Sequence, residues 1–94
     1  MDFHLLNVGS PNKLFRAATI RFDLPVASPV RLSLFDLQGR LVRDLERTSL
    51  KEAGRHTVAW DGRDGDGARL RAGVYLLRLE ANRFHQAQRI LMVR

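Results

Sequence analysis

Val74-Tyr75-Leu76-Leu77-Arg78-Leu79-Glu80-Ala81-Asn82-Arg83-Phe84-His85-Gln86-Ala87-Gln88-Arg89-Ile90-Leu91-Met92-Val93 reads as two strands joined by a tight connection at Asn82-Arg83. In the first half Tyr75, Leu77 and Leu79 share a side against Arg78 and Glu80, the period of two that marks a half-buried strand. The second half ends in Ile90-Leu91-Met92-Val93, apolar on both faces, which is the pattern of a strand covered on both sides. If these two ribbons pair, the rest of the chain has to supply a second layer to cover them.

It has the strands to do so. In Thr19-Ile20-Arg21-Phe22-Asp23-Leu24, the residues Ile20, Phe22 and Leu24 face one way, and Pro25 ends the run by removing a ladder donor. Val30, Leu32 and Leu34 alternate with Arg31 and Ser33, and Asp36-Leu37-Gln38-Gly39-Arg40 is a turn. Leu41 to Leu45 resumes as a short strand or irregular edge, and residues 46–54 are expected to form a loop. Arg55 to Trp60 is the next strand, with His56, Val58 and Trp60 on one face. Asp61-Gly62-Arg63-Asp64-Gly65-Asp66-Gly67 is the strongest turn signal of the chain. Phe3 to Val8 is an N-terminal extended piece and Gly9-Ser10-Pro11-Asn12 a loop, so residues 1–18 are the less regular part. No internal repeat stands out. About seven short strands without an amphipathic helix predict an all-β protein, an antiparallel β-sandwich in which each half-apolar sheet covers the other.

Size and composition agree. At 94 residues and 10.7 kDa the chain is one domain, residues 1–94, because two halves would each be too small to bury a core. An apolar fraction of 45% against 28% charged is that of a globular chain. No apolar run approaches the roughly 18–20 residues of a membrane-spanning helix. Without cysteine there is no disulfide scaffold, thiolate zinc site or cysteine nucleophile. The net charge of +6 raises the question of a polyanion. The sixteen basic residues, all Arg except Lys13 and Lys51, are spread along the chain with no basic block. Nucleic acid is therefore not expected as a partner, whereas anionic polysaccharide or lipopolysaccharide fits the charge.

Each chemically suggestive residue has a structural reading beside it. Trp60 is expected in the core with Ile20, Phe22, Leu32, Leu34, Val58, Tyr75, Leu77 and Leu79; a solvent-facing, sugar-stacking indole is the alternative. Asp61, Asp64 and Asp66 carry the oxygens that calcium prefers, but the spacing lacks the alternate-position ligands and bidentate Glu of a calcium loop. Asp-Gly turn chemistry is the stronger reading, and no cofactor is expected. Ser10, Ser28, Ser33 and Ser49 sit in no nucleophile motif, and nothing singles out an acid/base pair of carboxylates. A small sandwich has little room for a pocket of the usual 300 Å³ or so. An enzyme is not expected.

Taken together, the segments resemble one family. Thr19-Ile20-Arg21-Phe22-Asp23-Leu24-Pro25 and Val30-Arg31-Leu32-Ser33-Leu34-Phe35-Asp36-Leu37-Gln38-Gly39-Arg40 look like the opening of an Ig-like module. That module is shared by the C-terminal sorting domains of the bacterial type IX secretion system and by the flagellar hook-capping protein. The likeness continues through Gly54-Arg55-His56-Thr57-Val58-Ala59-Trp60-Asp61-Gly62-Arg63-Asp64 and Gly73-Val74-Tyr75-Leu76-Leu77-Arg78-Leu79, and ends in Arg89-Ile90-Leu91-Met92-Val93-Arg94. It covers about residues 9–94. Sorting domains commonly open on a Pro-Asn-Pro-Phe-like segment; here Pro11-Asn12 is followed by Lys13-Leu14-Phe15, so the second Pro is absent.

The resemblance implies an Ig-like or fibronectin type III-like sandwich and a non-catalytic role. The domain would end a larger secreted protein and direct it through the type IX machinery to the cell surface. Its partners would be a receptor of the secretion machinery and a sortase-like peptidase. Gly73, Tyr75, Arg89, Ile90, Leu91, Met92, Val93 and Arg94 match the family's signal positions. A final strand of this kind could offer its backbone to a receptor edge, or it could simply close the sandwich. The chain stops one residue after its last apolar strand, which suits the sorting role. A structural assembly module of the hook-capping or adhesin kind, and a polysaccharide-binding module, are the alternatives.

Overall fold

Successive strand side chains point to opposite faces, so an alternating sequence gives each sheet one apolar side that must be covered. The structure, a computed structural model, describes residues 4–8, 14–15 and 18–93, with side chains over 19–93. Eight strands result: β1 (His4–Val8), β2 (Leu14–Phe15), β3 (Ala18–Leu24), β4 (Ser28–Phe35), β5 (Leu41–Lys51), β6 (Gly54–Trp60), β7 (Gly73–Ala81) and β8 (Phe84–Met92). They form a three-stranded sheet in the order β1-β3-β6 and a five-stranded sheet in the order β2-β8-β7-β4-β5. Every pairing is antiparallel except β2 against β8. No helix occurs among the described residues. This is the all-β sandwich that the alternation predicts, of the Ig-like kind that the resemblance implies.

The two inner faces make the core. From the smaller sheet come Ile20, Phe22, Leu24 and Trp60; from the larger come Val30, Leu32, Leu34, Leu77, Leu79, Ala81, Ile90 and Met92. Val58 and Tyr75, both expected in the core, are half-buried and pack against it with Val42, Leu45, Leu70 and Phe84. Each fully buried Leu or Ile contributes roughly 1.5–3 kcal/mol relative to exposure. Trp60, only 2% exposed, is held inside rather than offered to a sugar. The polar groups that share this interior are paired. Ser28 Oγ donates to the Val26 carbonyl, and Asp23 accepts from Arg55 Nε at 3.1 Å across the β3–β6 pair.

The β7–β8 hairpin forms as expected, with Ala81 opposite Phe84 and a two-residue turn in which Asn82 takes φ 57°. Asn tolerates this left-handed conformation because its short side chain can bond locally. One expectation fails here. Leu91 and Val93 are not covered: they remain 39% and 36% exposed on the outer face while Ile90 and Met92 turn inward. The apolar double face of this strand end is therefore a surface feature, not the mark of a strand covered on both sides.

Residues 46–51 are strand rather than loop, and only Glu52 and Ala53 connect β5 to β6. β5 runs unbroken for eleven residues, pairing Val30 with Thr48 and Leu32 with Glu46. It is an edge strand, so its polar side chains can reach water. Register shifts between Ser28 and Val30, between Leu32 and Ser33, and between Leu34 and Phe35 break its alternation. Bulges and charges of this kind protect a sheet edge from pairing with another chain.

Replacing Trp60 by Ala removes the largest side chain the two sheets share. Urea denaturation of the Trp60→Ala variant should show a loss of about 3–5 kcal/mol, the usual range for a large buried aromatic; a loss below about 1 kcal/mol would contradict the indole's place in the core.

Candidate functional site

Two turns of one design stand at the same end of the sandwich. In Asp36-Leu37-Gln38-Gly39-Arg40, Gly39 N–H donates to the Asp36 carbonyl (3.1 Å) and Asp36 N–H to the Arg40 carbonyl (3.0 Å). The Asp36 Oδ1 accepts from the backbone N–H groups of Gln38 and Arg40 at 2.9 and 3.0 Å. Asp64-Gly65-Asp66-Gly67-Ala68 repeats every one of these bonds. Gly67 N–H donates to the Asp64 carbonyl (3.1 Å) and Asp64 N–H to the Ala68 carbonyl (2.8 Å). Asp64 Oδ1 accepts from Asp66 and Ala68 N–H at 2.9 and 3.0 Å. Gly39 and Gly67 occupy the same place, at φ 83° and 87°, where a side chain would be strained. The shared spacing, Asp-x-x-Gly-x, is a short internal repeat that sequence reading missed.

The second turn belongs to the long connection from β6 to β7, and that connection is latched. The carbonyl of Arg63 accepts two bonds, from the Trp60 indole N–H and from the Arg43 guanidinium, both at 3.0 Å. The same Arg43 nitrogen reaches Asp61 Oδ1 at 2.6 Å, and that oxygen also accepts the Arg63 N–H. Arg63 Nη1 donates to the Gly67 carbonyl (2.8 Å), Leu70 N–H to the Gly62 carbonyl (3.2 Å), and Gly65 N–H to the Val42 carbonyl on β5 (3.1 Å). Trp60-Asp61-Gly62-Arg63-Asp64 is therefore a locking station: the core aromatic, the β5 edge and the loop converge on one backbone oxygen.

Between the twin turns lies a depression of about 1050 Å³, larger than a small sandwich was expected to hold, but wide open to solvent. Arg40, Arg43, Arg69, Arg71 and Tyr75 line it together with Asp36, Asp44, Asp64 and Asp66, so its charges balance. Nothing in it pairs a nucleophile with a base. Ser33 Oγ donates to Asp44 Oδ1 at 2.9 Å instead, and Ser10 lies outside the described residues. Asp61, Asp64 and Asp66 do not converge. Asp61 is tied to Arg43 and Asp64 to backbone amides, and no group of three or more His, Cys, Asp or Glu able to hold a metal occurs among the described residues.

The proposed signal positions do come together. Antiparallel register sets Gly73 opposite Met92, Val74 opposite Leu91, Tyr75 opposite Ile90 and Leu76 opposite Arg89. All of them lie at one end of the β7–β8 pair, next to the depression, into which Tyr75 opens; its hydroxyl donates to the Arg71 carbonyl at 2.8 Å. At their outer side Leu91 and Met92 are paired with Leu14 and Phe15 of β2, so the backbone edge a receptor strand would need is already occupied there. Arg94 lies outside the described residues.

Four carboxylates are held below their ordinary range: Asp36 and Asp44 at this end, Asp61, where desolvation is outweighed by the Arg43 guanidinium and the Arg63 N–H, and Glu46 farther along β5. Asp36 owes this first to the Arg40 N–H and then, against some desolvation, to the Arg40 guanidinium and the Gln38 N–H. Asp44 owes it to the Arg31 guanidinium and the Ser33 hydroxyl, and Glu46 to the Thr48 hydroxyl and the Lys51 ammonium. A carboxyl lowered in the folded state binds fewer protons there than in the unfolded chain. Its stabilisation is complete above the unfolded value near 4 and disappears as pH falls through the folded one. Thermal melts between pH 7 and 3 should therefore fall less steeply below about pH 4 for an Asp36→Asn/Asp44→Asn double variant than for the parent. Asn keeps a carbonyl oxygen for the turn, so equal slopes would contradict the assignment.

Comparison with known proteins agrees with this architecture. The sequence model of the FlgD Ig-like domain matches residues 12–83. None of the curated protein sequences matches the chain. Among solved structures, FlgD from P. aeruginosa superposes with a TM-score of 0.60 at 22% identity, covering 80% of this chain and 58% of that one. PorZ, an essential bacterial surface component of the type-IX secretion system of Porphyromonas gingivalis, does so with a TM-score of 0.52 at 22% identity, covering 80% of this chain and 9% of that one. At this identity the two structures speak for the fold, and each is longer than the region it shares. The family match spans both strands of the β3–β6 pair, the twin turns and the latched loop, and by it the chain belongs to the FlgD Ig-like domain family.

Proposed function

We propose that this domain is a non-catalytic address: the terminal module of a larger secreted protein, read by the type IX secretion machinery and carried with its cargo to the cell surface. The observation that supports the reading is the β7–β8 register, which gathers Gly73, Tyr75 and residues 89–92, far apart in sequence, at one end of one sheet. Recognition there needs no reaction, only a rigid surface. The latched loop and the Asp36 and Asp64 turns supply that rigidity beside it. The fold shared with PorZ, itself a surface component of that secretion system, is in keeping with the proposal. A receptor that reads this end would meet side chains on the sheet rather than a bare backbone edge, because β2 already pairs with Leu91 and Met92.

The family match favours a second reading, an assembly module of the hook-capping kind that holds a larger structure together. The two are separated by transplantation. Residues 1–94, fused behind a periplasmic reporter in a host with type IX secretion, should bring the reporter to the cell surface or the medium. A reporter that stays in the periplasm would contradict the address. Discrete oligomers of the isolated domain in light scattering would then support assembly instead.

A further inference from the structure

The outer face of the five-stranded sheet carries an apolar stripe that no described residue covers. It crosses four strands in register: Leu41 on β5 lies opposite Phe35 on β4, Phe35 opposite Leu76 on β7, and Val74 opposite Leu91 on β8, with Val93 next beyond on the same face. Leu41, Leu91 and Val93 are 47%, 39% and 36% exposed, and Phe35, Val74 and Leu76 are half-buried beneath them. A contiguous apolar patch built across a sheet, unlike single exposed leucines, marks an interaction site.

The charges around it select the partner. On the same face Asp44 is taken by Arg31 (3.0 Å) and Glu80 by Arg78 (3.0 Å), while Arg40 at the rim holds Asp36 (2.9 Å). Arg47, opposite Arg31, and Arg89, opposite Leu76, make no ion pair with a described residue. The face thus has spare cations and no spare carboxylate, in a chain whose net charge is +6. A second copy would set like charges against each other. A lipid surface would call for protruding aromatic side chains at the interface, whereas the only aromatic of the stripe, Phe35, is recessed in the sheet. We infer that this face docks a segment of another protein in which aliphatic side chains are flanked by Asp or Glu. The inference deepens the recognition reading by naming the surface and the chemistry of what it meets. It rests on that reading only for the biological setting.

The test uses the isotope-labelled chain and contains no secretion machinery, so its failure is distinct from failure of export. The probe is a synthetic peptide alternating Leu with Glu, compared with the same peptide carrying Lys for Glu. Backbone amides of Phe35, Leu41, Val74, Leu76 and Leu91 should shift on titration with the Glu peptide. The Lys peptide should bind at least about tenfold more weakly, and the difference should shrink as salt rises. Leu91→Glu should abolish the shifts and Arg89→Gln should weaken binding several-fold; both residues are exposed, and a far-UV spectrum like the parent's establishes that the variants fold. Equal binding of the two peptides, shifts confined to other strands, binding only to vesicles of phosphatidylglycerol and phosphatidylcholine, or concentration-dependent shifts without any peptide would each overturn the proposal.

Discussion

One backbone oxygen, the carbonyl of Arg63, holds the indole of Trp60 and the guanidinium of Arg43 at the same time. The indole belongs to the three-stranded sheet and the core, the guanidinium to the edge of the five-stranded sheet, and the carbonyl to the loop that crosses between them. A crossing of this length would ordinarily be a mobile surface segment. Here it is fixed at both layers, and the start of β7 is fixed with it. A bond from a buried indole to a buried or half-buried acceptor is costly to leave unmade, which gives the latch its force. A single guanidinium nitrogen, Nη1 of Arg43, serves Asp61 and Arg63 together.

Once the Trp60–Asp64 segment is understood as a lock, the functional reading shifts elsewhere. In the acidic loop Asp64 is engaged in turn bonds and Asp61 in an ion pair with Arg43. The open depression between the twin turns is charge-balanced and lacks a catalytic constellation. On the outward side of the larger sheet Leu41, Leu91 and Val93 stay exposed, and Arg47 and Arg89 make no ion pair with a described residue. A rigid surface of that kind suits the recognition role proposed for the domain, and membership in the FlgD Ig-like domain family is compatible with it.

Alternation made the sandwich legible. Ile20, Phe22 and Leu24, or Tyr75, Leu77 and Leu79, keep a strict period of two because one face of each strand is buried and the other wet. β5 was illegible for a physical reason: an edge strand with three register shifts loses its period, and Glu46, Arg47 and Thr48 can face water from a strand as well as from a loop. The end of β8 misled for the opposite reason. Leu91 and Val93 look like buried residues, and only the absence of a third layer among the described residues reveals them as surface. Arg43 and Asp61, eighteen positions apart, gave no local sign of the latch they form. The repeated Asp-x-x-Gly spacing at 36–39 and 64–67 was a readable sign of the twin turns, overlooked because two five-residue segments are shorter than any repeat usually sought.

Hydrogen exchange at the Trp60 indole nitrogen reads the latch without altering it. If the Arg63 carbonyl, the core and the crossing loop are one cooperative unit, the indole proton exchanges only through global unfolding, with an opening free energy equal to that of the most protected amides of β4 and β7. An indole proton that exchanges as fast as the amides of the exposed Val26-Ala27 connection would contradict the account.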